Sequence, residues 1–366
     1  MPIFNTTISG GGTTPTGSIS ITNNGTYDVT DKATAVVNVP TTAPAHYIEK
    51  TVDANGKLLS SPNVVNLNGV SDVGDNALAY VYYGVAFPAS TGLSFPLTTI
   101  SGSSACNSMF SSCTGLTSFA LPALTTISGG YACNSMFGSC TGLTSFDLSA
   151  LIMISGSNAC QYMFNYCGGL TSANLPALTT ISGEYACDSM FYFCGLTSFD
   201  LSALTTISGD YACQSMFSSC TGLTSFALPA LTTISGSNAC NSMFGSCTGL
   251  TSANLSALTT ISGYCACSSM FSNCTGITST NLPALTEISG DYACQYMFEG
   301  CTSLTTVYIG GTSAITFGAE PFYDIFSGCT QNIDVYAPAA NQTEIEAMDG
   351  YPNFGGTGTV TWHWRS

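Results

Sequence analysis

A Met-Phe pair returns along this chain at Met109, Met136, Met163, Met190, Met216, Met243, Met270 and Met297, in steps of 27 residues with a single step of 26. The short step is a deletion: "MFYFCGLTS" lacks the Thr of "MFSSCTGLTS". A fixed period of this length means a solenoid or a propeller, because one unit cannot bury its own apolar face and must stack on its neighbours. A four-stranded propeller blade needs about 40 residues, so the period selects the solenoid.

One unit reads "ACNSMFGSCTGLTSANLSALTTISG". Its apolar residues Ala239, Cys240, Met243, Phe244 and Cys247 fall at offsets of 0, 1, 4, 5 and 8. That stripe predicts a short amphipathic helix. "TG" then interrupts it, and Leu250, Ala253, Leu255, Leu258 and Ile261 suit short extended segments joined by a turn. The fold class expected is an α/β repeat solenoid of about eight 27-residue coils over residues 98–310. Residues 46–97 read as an N-terminal cap with a degenerate coil, and 311–366 as a degenerate last coil with a C-terminal cap.

The chain has 18 cysteines, 16 of them in eight C-x6-C pairs. These are Cys106/Cys113, Cys133/Cys140, Cys160/Cys167, Cys187/Cys194, Cys213/Cys220, Cys240/Cys247, Cys267/Cys274 and Cys294/Cys301; Cys265 and Cys329 stand outside them. On a helix the two members of a pair would lie roughly 10 Å apart, beyond the reach of about 7 Å that a disulfide allows. Equivalent cysteines on successive coils would be about 5 Å apart, so bridges between coils stay open. Zinc would want closer pairs and histidine partners, and the chain has only His46 and His363. The reading favoured is a ladder of buried thiols belonging to the structural core, with no metal and no cofactor.

Charge narrows the partners. Lys and Arg total four against 20 Asp and Glu, a net charge of -16, and no Lys or Arg lies between 58 and 364. Nucleic acid and anionic membrane surfaces both require basic contacts, so neither is expected. No apolar run reaches about 18 residues, so no membrane insertion is expected either. The N-terminus lacks the basic start and apolar core of a secretory signal. Two histidines 317 residues apart and the absence of a nucleophile or phosphate-loop motif give no catalytic constellation, so an enzyme is not expected. Calcium through the Asp/Asn column described next would need a denser loop of ligands.

Within near-identical units, two columns vary. One lies at the start of the expected helix and supplies Tyr131, Tyr185, Tyr211, Tyr264 and Tyr292; the other lies in the expected strand and supplies Asp147, Asn174, Asp200, Asn254 and Asn281. Tyr and short polar residues dominate adaptable binding surfaces, which makes these ten the candidate ligand contacts; the alternative is solvated drift. Recurrent Thr-Thr pairs such as Thr205/Thr206 could form a flat ice-binding array, but Ile152-Met153 and Glu287 break it, and cross-strand hydrogen bonding is the favoured explanation.

"MFGSCTGL" at 243–250, followed by "LPAL" or "LSAL" and "TTISG", resembles the BspA-like leucine-rich repeats of bacterial surface proteins. This resemblance covers roughly residues 91–310 and implies a solenoid presenting a concave binding surface. Separately, "SISITNNGTYDVTDKATAVVNV" at 18–39 alternates around an "NNGT" turn, as a β-hairpin does. It resembles segments of tail- and baseplate-associated proteins of phages and prophages of gut Firmicutes. Residues 1–45 then read as a small β module with Thr/Gly/Pro linkers that attaches the array to other virion proteins. Together these resemblances imply a virion protein, assembled in the host cytoplasm and released by lysis, that binds a host cell-surface glycan or protein. The alternatives are a bacterial surface or secreted leucine-rich adhesin and a purely architectural fibre subunit.

Overall fold

The computed structural model describes residues 72–76, 78–80, 82–84 and 91–366, and nearer the N-terminus three short strands, Ser18–Ser20, Val36–Asn38 and Val64–Asn66. The repeat winds into a parallel β-solenoid. A representative coil runs through a ribbon of turns at 103–113, a strand at Leu116–Ala120 and a two-residue strand at Thr126–Ile127.

The ribbon stands where a helix was expected. The amides of Asn107, Met109, Ser111 and Cys113 donate to carbonyls three residues back, closing successive turns. Those of Cys106, Ser108, Phe110 and Ser112 donate across to Ala132, Asn134, Met136 and Gly138 of the next coil. Ser104, Ser108 and Ser112 adopt left-handed backbone, with φ of 52°, 49° and 64°. A right-handed helix cannot contain such residues, and Ser and Asn compete poorly for helix in any case. Offsets of 0, 1, 4, 5 and 8 fit a four-residue turn as well as a 3.6-residue helix, so the stripe points inward either way. The fold is therefore almost wholly β and turn rather than α/β.

Left-handed residues recur at this spacing in ten successive ribbons, from Asn76, Tyr80 and Gly84 to Glu320, Asp324 and Gly328. The array thus has about ten turns, more than the eight expected, and takes in the degenerate coils on both sides. The one-residue deletion is absorbed in the turn after Cys194. Elsewhere a leucine amide donates back to the cysteine there, as Leu170 does to Cys167 and Leu223 to Cys220. Pairing on either side keeps its register, Ser172 with Ser198 and Thr180 with Thr206.

The two-residue strands form one nine-stranded parallel sheet from Thr99–Ile100 to Thr316–Phe317. The longer strands form sheets of three, two and five strands, the last ending on Ile333–Pro338 and Val360–Arg365. Between these walls every coil sends the same side chains inward: Ala132, Cys133, Met136, Phe137, Cys140, Leu143, Leu148, Leu151 and Ile154 are all buried. The phenylalanines stack along the axis, Phe110 on Phe137 at 5.3 Å, Phe137 on Phe164 at 5.1 Å, Phe164 on Phe191 at 5.3 Å. A glycine ladder makes the close approach possible: a Cβ on Gly156 would lie 2.2 Å from the Gly129 carbonyl oxygen.

The only helices among the described residues are the 3-10 turn Ala339–Asn341 and Gln342–Glu346 at the C-terminal end. Buried Asn341 seats this cap by pairing its amide with the N–H and carbonyl of Ile315, 2.7 Å each. At the other end, the expected hairpin is not what the described segments form. Ser18–Ser20 pairs with Val36–Asn38 in parallel, and Val36–Asn38 with Val64–Asn66 likewise. Parallel strands need a crossover rather than a tight turn. The remainder of the 1–45 module lies outside the described residues.

Candidate functional site

Each ribbon's apolar residues face the core, and the pairs between them face away from it, though some, such as Asp188 and Ser189, are themselves buried. Tyr131, Tyr185, Tyr211 and Tyr292 occupy the first left-handed position of their ribbons, with φ of 56°, 52°, 55° and 55°. Tyr264 stands one residue earlier, and Cys265 takes the left-handed place. Tyr185 and Tyr211 lie on adjacent coils and stack at 4.6 Å, 5° from parallel. Tyr292 meets Tyr264 and Tyr323 edge to face at 6.2 and 5.9 Å.

The second and third left-handed positions carry residues that the sequence reading passed over. Tyr162, Tyr166 and Phe193 stand there with φ of 56°, 58° and 58°. They are 37%, 48% and 51% exposed. Tyr166 packs on Phe193 at 5.5 Å, and Tyr192 closes edge to face on both, at 5.6 and 5.2 Å. The period itself was the missed signal: the neighbouring coils hold Ser135, Ser139 and Ser219 at the same places.

Beneath these rings runs a polar chain across three coils. Asn134 donates to Gln161 at 3.0 Å, Gln161 to Asp188 at 2.9 Å, and the Ser189 hydroxyl to Asp188 at 2.8 Å. Burial lifts the Asp188 carboxyl above the usual range despite these donors. Exposed Glu184 and Asp210 precede the stacked Tyr185 and Tyr211. The Tyr185 phenol is raised by loss of solvent, by Tyr211 and by the nearby Glu184, Asp188 and Asp210.

The Asp/Asn column lies on a different element. Asn174, Asn254 and Asn281 point outward from their strands and are exposed. Asp147 and Asp200 bind the amides of Ser149 and Ser202 at 2.9 Å, fixing the turn that follows each strand. Hydrogen bonds from Ser149 hold the Asp147 carboxyl below its usual range. Asp147 also borders a shallow open hollow with Ser118, Ser145 and Phe146. The same register ends in a stack of rings, Tyr308 on Tyr336 at 4.7 Å and Tyr336 on His363 at 4.6 Å. The structure does not join the tyrosine and Asp/Asn columns into one site.

All 18 cysteines are free and buried. The second of each pair donates its S–H to a carbonyl of the preceding coil, as Cys167 does to Phe137 at 3.1 Å. Burial pushes thiols such as Cys140 and Cys220 up to about 12. The first Thr of each pair donates to the coil before, Thr205 to Thr179 at 3.0 Å and Thr259 to Thr232 at 3.0 Å, so these hydroxyls bind their own chain. Among the described residues no three His, Cys, Asp or Glu gather as a metal site, and no helix is long and apolar enough to cross a membrane.

A family profile described as BspA type leucine-rich repeat region matches in overlapping blocks at 91–215, 135–265 and 187–331, in six copies. No curated protein matches the chain. Among solved structures, a leucine-rich repeat protein of T. pallidum (TpLRR) aligns over 95% of this chain and 94% of its own, at 16% identity and a TM-score of 0.26. The TLR13–ssRNA13 complex aligns over 90% of this chain and 46% of its own, at 11% identity and a TM-score of 0.23.

Proposed function

Since the chain belongs to the BspA-type leucine-rich repeat family, we propose that it is a non-enzymatic binding protein of the surface-adhesin kind, whose ribbon face engages a glycan or protein on a cell surface. The observation that carries this reading is where the copies vary. Inward positions repeat almost without change, whereas the outward ribbon positions alternate among Ser, Asn, Gly, Tyr, Phe, Asp and Glu. Tyr166, Phe193 and Tyr192 pack on one another, yet Ser fills the equivalent Ser139 and Ser219 without such rings, so the fold does not require them. Left-handed backbone costs a bulky L-residue about 1–2 kcal/mol, and the Tyr166 and Phe193 rings stand half in water. Exposed aromatic residues in strained conformations are features that binding, rather than folding, rewards.

The same reading puts the protein on or outside a bacterial cell. Placement in a virion rests on residues 18–39, outside the 91–331 span that the family profile matches, and the family favours the adhesin. The test is retention of the purified full chain on intact bacterial and host cells. Saturable retention on a subset of cells, competed by unlabelled chain, is the expected result. Retention that never saturates on any cell type would overturn the binding role and leave an architectural one.

A further inference from the structure

We propose that the aromatic patch on the ribbons at 158–166, 185–193 and 211–219 docks a basic peptide segment, with the rings receiving Lys or Arg side chains and Glu184 and Asp210 pairing with their charges. This deepens the binding role proposed above and rests on it.

The patch departs from the repeat at three left-handed positions. Where other coils hold Ser135, Ser139 and Ser219, these hold Tyr162, Tyr166 and Phe193, each in left-handed backbone and each exposed. Its border is acidic. Glu184 and Asp210 stand exposed beside the stacked Tyr185–Tyr211 pair, and buried Asp188 lies beneath. No Lys or Arg occurs between residues 58 and 364, so nothing in the array neutralises this field.

Charge complementarity selects the occupant. An anionic partner would meet repulsion with no basic contact to offset it. A neutral partner's hydroxyls can donate to Glu184 and Asp210 but leave both charges uncompensated. A cation over an exposed tyrosine gains from the ring quadrupole, and a neighbouring carboxylate adds a charge-assisted hydrogen bond. Arg adds planar stacking on the same rings.

The probe is a synthetic decalysine peptide and its fully acetylated form, titrated calorimetrically into the full chain at 20 and 300 mM salt. Tyr166→Ser and Phe193→Ser are compared with wild type, since Ser already serves at the equivalent Ser139 and Ser219 and thermal melts verify the fold. Glu346→Gln combined with Asp349→Asn on the C-terminal cap is the control for diffuse charge. The expected result is binding of decalysine but not of the acetylated peptide, weakened at high salt. Each aromatic substitution should lower affinity at least tenfold, with the cap double variant unchanged. Aromatic variants that bind like wild type, or a cap variant that loses as much as they do, would overturn the patch. Binding of neutral cellotetraose or chitotetraose in place of decalysine would overturn the cationic occupant. A chain retained on cells yet indifferent to decalysine sinks this inference alone, whereas a chain that no cell retains sinks the broader role.

Discussion

The thiol of Cys140 donates to the carbonyl oxygen of Phe110 across 2.9 Å, one coil away and 30 residues earlier in the chain. The same contact recurs from Cys167 to Phe137, Cys247 to Phe217 and Cys329 to Phe298, each at 3.1 Å. The cysteine column is thus a directional ladder as well as an apolar one. It joins each ribbon to the coil before it at the point where the chain leaves the turns for the strand, and it works only while the sulfur keeps its proton.

That dependence predicts alkaline unfolding. Cys140, Cys220 and Cys294 are pushed from an ordinary 9.0 up to about 12, in each case by burial. The unfolded chain therefore releases these protons from about pH 9 while the folded chain holds them. With fewer protons on the unfolded state, stability is full below pH 9 and falls as pH rises toward 12, by about 1.4 kcal/mol per unit for each such thiol. Urea melts at intervals from pH 7 to 11 should show a flat stretch and then a steep decline. Stability that stays level to pH 11 would contradict the buried ladder.

The glycine ladder predicts a sharp contrast between two substitutions. Gly156→Ala places a Cβ 2.2 Å from a backbone oxygen that cannot move without parting two coils, whereas a Cβ on Gly168 meets nothing within 4 Å. Overpacking of this sort costs about 1–3 kcal/mol or more, while an open surface position stays within about 0.5 kcal/mol. Denaturant midpoints of the two variants measured side by side should separate accordingly.

The repeat, its inward residues and the thiol core were all legible in the sequence, because stacking forces each coil to bury the same positions. The helix was misread at Ala239–Cys247 because a four-residue turn and a helix share the 0, 4, 8 spacing. What separates them is the residues between: Asn238, Ser242 and Ser246 recur every fourth position, all left-handed and all weak helix formers. Tyr162, Tyr166 and Phe193 were missed for a different reason. At four-residue spacing they share a face on a helix and on a ribbon alike, so only comparison with Ser135, Ser139 and Ser219 of the neighbouring coils sets them apart. Tyr264 stands in the column of Glu184 and Asp210, one place before that of Tyr292, as the pairing Tyr264/Cys265 already indicates in the sequence.

The phenylalanine stack predicts a local defect. Phe217 lies 5.4 Å from both Phe191 and Phe244 and 4.5 Å from Phe199. Phe217→Ala should cost about 3–5 kcal/mol. In a solenoid each coil touches only its neighbours, so the loss should appear first as faster hydrogen exchange in the coils on either side. Protection near Asn341 should survive under mild conditions. Uniform loss along the whole chain would argue against a nearest-neighbour array.

Tyr131 carries the last prediction, because it separates folding from binding at a single residue. It is 47% exposed and holds φ of 56°. Asn158 and Asn238 occupy the same place in other coils with φ of 55° and 52°. Asn tolerates left-handed backbone through local hydrogen bonding, while a bulky aromatic pays a steric penalty against its own carbonyl. Tyr131→Asn should therefore raise stability by about 0.5–1 kcal/mol, read as a higher urea midpoint at unchanged slope. Should the midpoint fall instead, Tyr131 would be stabilising its coil through packing, and the argument that strain at these positions reflects binding would lose its footing.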